Sequence, residues 1–148
     1  MHVKTPAVNW LLPFAISLAL GSCASQMTED TTIYGSWTLV SFGNEPNKIA
    51  IGDAKAKFSL NLTEDGTAHG IVACNGWRGK FQYENEKLSI PRALSTRKYC
   101  IVDEPDLKAL ESRYLSGLKE AAVTSMNASS LTLSTNNNET WMFERLIP

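Results

Sequence analysis

The sequence predicts a mainly β (α+β) domain: a small antiparallel, barrel-like sheet of about eight strands with one helix packed across it. Three observations predict it. Short β-branched and aromatic runs recur between turn signals such as Asp65-Gly66, Asn75-Gly76 and Asn136-Asn137-Asn138. One stretch only, after Asp103, repeats apolar residues at helical spacing. The part of the chain with anything to bury is one domain in length.

The N-terminus stands apart from that domain. Met1 to Lys4 is short and basic, and Ala7 to Leu20 is mostly apolar. A membrane-crossing helix needs roughly 20 apolar residues, so this run is too short to span. It has the length and flanks of a signal-peptide core. Leu20-Gly21-Ser22-Cys23 then resembles a bacterial lipobox, in which small residues admit the peptidase and the Cys23 thiol takes a diacylglycerol. The alternative is an ordinary cleavage site beside an incidental cysteine. The expected organisation is a signal peptide over 1–22, lipidated Cys23 with a polar tether over 23–32, and a domain over 33–148. Nine tether residues reach roughly 17 Å as a flexible coil. Ala24 is not the aspartate that retains lipoproteins in the inner membrane, so the expected location is the cell envelope. In a Gram-negative cell that means the outer membrane, facing the periplasm.

The elements follow in order. Gly35 to Gly43 reads as a first strand and Asn44 to Lys48 as turn material. Lys57 to Leu62 alternates with Phe58, Leu60 and Leu62 on one face, and Asp65-Gly66 turns the chain into a partner strand, Thr67 to Ala73. Asn75 to Gly79 reads as a turn. Lys80 to Glu84 and Lys87 to Ile90 form a hairpin across Asn85-Glu86, stopped by Pro91. Ala93 to Ile101 reads as an irregular crossing. Asp103 caps the helix, Pro105 suits its first turn, and Asp106 favours the positive dipole end. Leu107, Leu110, Tyr114, Leu118 and Ala121 form its apolar stripe, which points to core packing. Ala122 to Met126, Ser130 to Ser134 and Thr140 to Arg145 close the chain as strands.

Cysteine and charge narrow the function classes. With Cys23 lipidated, Cys74 and Cys100 remain, and two cysteines in an exported domain suggest a disulfide. Closing that loop would stabilise by ~3.5 kcal/mol on a chain-entropy basis. Two separate thiols are the alternative. Without Lys4 the chain keeps 13 basic and 15 acidic residues, a net charge of −2, which gives no support to nucleic-acid binding.

Gly35, Trp37 and Leu39, then Cys74, Asn75, Gly79 and Phe81, then Thr96 and Cys100, come in an order that resembles the META domain, the family of HslJ-like heat-shock lipoproteins. The resemblance covers Ile33 to Leu146. Ala73 stands where the family often has glycine, and Gly76 where it often has a basic residue. The resemblance implies a small antiparallel barrel-like fold with a helix across it. It also implies an envelope location and a link to heat or antibiotic stress, with no known catalytic reaction.

The residues themselves point the same way. His2 leaves with the signal peptide, so His69 is the one histidine available for acid–base work. No Gly-x-Ser-x-Gly elbow, paired metal-ligand spacing or phosphate loop appears, so no catalytic residue, metal or cofactor is expected. From Arg78 to Lys98, six basic residues face two acidic ones. Trp77, Arg78, Arg97 and Lys98 are the candidate partner-binding rim, with an anionic ligand or an envelope protein as the expected partner. Solvated strand faces are the plainer explanation of that run. The expectation is a monomeric, non-enzymatic binding protein held to the membrane through Cys23. The alternative is a barrel holding an apolar ligand, or a pilot or inhibitor of another envelope protein.

Overall fold

The structure, a computed structural model, describes residues 31–51, 57–98 and 107–146. The lipobox with Cys23, the helix cap at Asp103 and Cys100 lie outside the described residues.

The strands are β1 (Gly35–Phe42), β2 (Ile49–Ala50), β3 (Lys57–Leu62), β4 (Thr67–Ala73), β5 (Asn75–Lys80), β6 (Gln82–Glu84), β7 (Lys87–Ser89) and β8 (Ala93–Ser95), followed after the helix by β9 (Ala121–Met126), β10 (Ser130–Thr135) and β11 (Thr140–Arg145). All pair antiparallel, in the order β6-β7-β9-β10-β11-β1-β3-β4-β5-β8, with β2 added beside β1. β5 runs into β6 through Phe81 alone, and β7 into β8 through Ile90 to Arg92. The four pieces are therefore one long hairpin with a corner. At its base, β5 bonds β4; at its tip, β7 bonds β9. β4 and β9 stand at opposite ends of the run between them, so the hairpin bridges those ends and curls the sheet on itself. Counted this way, eight long strands make the sheet, as the sequence pattern suggests.

The corner is buried and bonded. Phe81 and Ile90 are in the core, and their N–H groups donate to the carbonyls of Gly66 and Leu118 at 3.0 and 2.9 Å. At the tip, Asn85 and Glu86 both take positive φ, 50° and 61°, the backbone of a two-residue I′ turn.

Three local expectations are corrected. Asn75 to Gly79 is strand, not turn, because it pairs β4 from Thr67↔Lys80 to Val72↔Asn75. The sharp bend lies earlier, at Ala73, with φ 57°. Ala93–Ser95 is strand within the expected irregular crossing, paired to β5. Ala121 opens β9 rather than ending the helix.

The helix α1 (Leu107–Gly117) lies across the barrel. Tyr114, buried, stacks on Trp141 at 5.4 Å and meets Phe58 and Trp77 edge-on at 5.4 and 6.2 Å. Its hydroxyl donates to the Ser59 carbonyl at 3.1 Å, and the Trp77 indole donates to the same oxygen at 3.3 Å. That carbonyl is free to turn inward because the β3–β4 register has no pair between Phe58↔Val72 and Asn61↔His69. The Ser59 hydroxyl accepts from the Ile71 N–H at 2.9 Å in place of a ladder bond. A Cβ on Gly70 would sit 2.0 Å from the Ser59 oxygen, so only glycine fits opposite. Burial pushes the Tyr114 phenol above its ordinary pKa.

Two arginines fasten the rim. Arg113 on α1 forks onto Glu139 at 2.8 to 3.0 Å and lies over the Phe42 ring. Partial burial opposes ionisation of Glu139, but hydrogen bonds from Arg113 and Trp141, with the Arg113 charge, hold it below the usual carboxylate range. Arg145 lies over the Trp37 ring at 4.1 Å and donates to the carbonyls of Ala128, Tyr34 and Thr32 at 2.6, 2.8 and 2.6 Å. It ties the first described residues to the last strand.

Candidate functional site

The interior is packed with side chains. Trp37, Trp141, Phe58, Phe143, Leu60, Leu131 and Leu133 are fully buried around Tyr114. An open groove of about 600 Å³ lies on the outside, over the β3–β4 turn, β4, β5 and β8. Cross-strand register builds it. Asn61 pairs with His69, His69 with Arg78, and Arg78 with Leu94, so these four form one row over four strands. The next row holds Ile71, Gly76 and Thr96. Alternation turns Arg78, Leu94, His69 and Ile71 to solvent while Phe58, Val72 and Trp77 turn to the core.

Each wall has a cause. Gly76 leaves the floor open, and a Cβ there would meet nothing within 4 Å. Leu94 is 71% exposed and Ile71 42%, a pair of apolar side chains on an otherwise polar face. Thr96 is held in place by accepting from the Gly76 N–H at 3.2 Å and donating to the Asn75 side-chain oxygen at 2.9 Å. Asp65 closes one end. Its carboxylate accepts from the Thr63 hydroxyl, the Thr67 hydroxyl and the Thr67 N–H, which with nearby Lys80 lower its pKa to about 2. The Lys80 ammonium, 4.0 Å from Asp65, also donates to Thr67 at 3.0 Å.

The sequence-predicted site residues divide. Arg78 lines the groove, and Arg97 and Lys98 are exposed beside Thr96. Trp77 also borders the groove, but not as an exposed anchor. Its side chain is buried against Tyr114, because strand alternation, not a turn, fixes its direction. Asn75, 4% exposed, is a node: its oxygen also accepts from the Lys98 N–H at 2.7 Å, and its amide donates to Glu111 on α1. The half-buried Cys74 precedes it. Asp65, Gly76 and Leu94 are groove residues that sequence reasoning did not single out as site residues, and His69, considered there for acid–base work alone, lines the groove with them. The His69 ring makes no hydrogen bond to the described residues. Among the described residues, no three His, Cys, Asp or Glu side chains cluster as metal ligands.

The family model of the META domain matches residues 30–146. This chain belongs to the META domain family. The match spans every described strand and the helix. An NMR structure of a protein from Burkholderia xenovorans is 25% identical, with TM-score 0.62, covering 98% of this chain and 99% of that one. A second NMR structure is 22% identical, with TM-score 0.57, covering 76% and 89%. A crystal structure of a lipocalin-like protein from Bacteroides uniformis is 13% identical, with TM-score 0.49, covering 76% and 97%. No curated protein matches the chain.

Proposed function

We propose that this META-domain chain is an envelope lipoprotein, lipidated at Cys23, that works by binding at its outer surface and not by catalysis. Its role would be in heat or antibiotic stress tolerance, as for the lipoproteins it resembles. One observation carries the binding reading: the shaped space lies outside a filled barrel, and a cation and exposed apolar side chains line or border it. A filled interior weighs against an apolar ligand held inside. The lipobox supports the anchor. The domain acts as a monomer.

The Cys74–Cys100 disulfide belongs to this proposal. The Asn75 oxygen and the Gly76 backbone hold Thr96 and Lys98, which brings the chain to within two residues of Cys100 beside Cys74.

Palmitate labelling tests the anchor. Label should enter the wild-type chain and be absent from Cys23→Ser; equal labelling would overturn lipidation there. Purified lipoprotein should turn over no member of ester, peptide and glycan libraries, and an enzymatic rate on any of them would remove the non-catalytic reading. Thiol labelling before and after reduction tests the disulfide, since two cysteines reactive without reductant would exclude it.

A further inference from the structure

The face that carries the groove has a charge pattern no other part of the described sheet shares. Arg78, Lys80, Arg92, Arg97 and Lys98 are all exposed on or beside β5 and β8. The strands of that face carry no acidic side chain facing solvent. Glu64 and Asp65 sit in the β3–β4 turn at one end, and Asp65 is already engaged by Thr63, Thr67 and Lys80. Among these cations stands Leu94, the most exposed large apolar side chain among the described residues. Neither feature helps the fold. Leu94 buries little, and Gly76 weakens its strand without any close neighbour that demands glycine.

Position completes the argument. Gly35 pairs with Leu62, and Tyr34 meets the Phe81 ring at 6.3 Å, next to Lys80. The described chain therefore begins at the same end of the sheet as the Asp65 end of the groove, between the Phe81 corner and the Arg145 clamp.

We propose that this face docks on an anionic phospholipid surface. The groove above Gly76 takes a phosphate-bearing headgroup, with Arg78 as its charged partner, and Leu94 enters the headgroup–acyl boundary. Docking rests on the tethered-binding reading above. A lipid at Cys23, eight residues before Thr31, would keep the face within reach of its own membrane. Attraction of cations to an anionic surface then selects which face turns down, and salt weakens it.

The test uses the mature lipoprotein in vesicles of phosphatidylcholine alone and with added phosphatidylglycerol. Flotation with both kinds reports the anchor; failure to float with the neutral vesicles would break the tether reading, not this one. Docking is read as the rate at which a soluble polymer-linked maleimide modifies Leu94→Cys above the wild-type background. Anionic lipid should slow that rate, high salt should restore it, and Arg78→Glu with Arg92→Glu should restore it too, at roughly five-fold per basic residue. Thr132→Cys, on the opposite face, should react equally in both vesicles. Gly76→Leu keeps every charge and fills the groove, so it should lose part of the protection. Equal rates at Leu94→Cys in both vesicles would overturn docking, as would equal slowing at Thr132→Cys. Protection unchanged in Gly76→Leu would remove the headgroup from the groove. Protection in neutral vesicles by added acidic peptide or inorganic phosphate would assign the face to a soluble anion.

Discussion

Along β9, β10 and β11 the outward positions carry Ala122, Thr124, Thr132, Ser134, Met142 and Glu144. Along β4, β5 and β8 they carry His69, Ile71, Gly76, Arg78, Lys80 and Leu94. Inward, both regions are alike: Leu131, Leu133, Trp141 and Phe143 on one side, Ala68, Val72 and Trp77 on the other. The first outer face is mostly what a sheet needs when one side is wet, the hydroxyls of Thr124, Thr132 and Ser134 beside Glu144, with Met142 its one exposed large apolar side chain, at 39% against 71% for Leu94. The second spends a strand position on a glycine with open space and another on an exposed leucine. Folding explains the first set of choices and not the second, which is why we place function on the second.

The comparison breaks if changes to the core or the cationic face do not separate stability from binding. The largest stability effect should come from Trp141→Ala, which removes the partner of Tyr114, Phe42 and Glu139; a loss of about 3–5 kcal/mol in urea unfolding is expected. Gly70→Ala drives a methyl into the Ser59 carbonyl and should cost about 1–3 kcal/mol in the same assay. Tyr114→Phe keeps the ring and removes one donor to Ser59, so about 1 kcal/mol is expected. Arg78→Glu should change stability by no more than about 0.5 kcal/mol. A Tm fall matching that of Gly70→Ala would show that the cationic face is part of the framework after all.

Acid offers the finest separation. The folded Asp65 carboxyl titrates at about 2, below its ordinary value of 3.8. A depressed carboxylate adds stability above the ordinary value, and that contribution fades as pH falls from 3.8 toward 2. Asp65→Asn should therefore flatten the stability curve across that window and leave it unchanged at neutral pH in shape. A wild-type curve already flat between those values would show that the Thr63 and Thr67 bonds do not persist in solution.

Much of this architecture was legible in the sequence because alternation reports directly on which side is buried. Phe58, Leu60 and Leu62 are an example, and all three are in the core. Asn75 to Gly79 misled for a physical reason. Asn-Gly favours a turn locally, but the Asn75 amide finds Thr96, Lys98 and Glu111 from 21 to 36 residues away, and those bonds override the local preference. The corner of the long hairpin was equally hidden, since nothing in Phe81 or Ile90 marks the change of pairing partner. At the groove, the basic run was visible as composition. The row His69–Arg78–Leu94 was not, because register between strands brings it together and sequence proximity does not.

The Arg145 clamp has a mechanical consequence. A chain held from its N-terminal side transmits tension first to Thr32 and Tyr34, whose carbonyls Arg145 grips, and next to β1. β1 lies between β11 and β3, bonded along both edges. A pull along its axis would load those bonds together in shear, instead of peeling them one at a time as at an outer strand. The same guanidinium rests on Trp37 and bonds Ala128, so part of the strain passes into the last hairpin before β1 moves at all. A pull entering through Thr32 would thus be met at β1 and its two neighbours, β11 and β3, before it reached β4, β5 and β8.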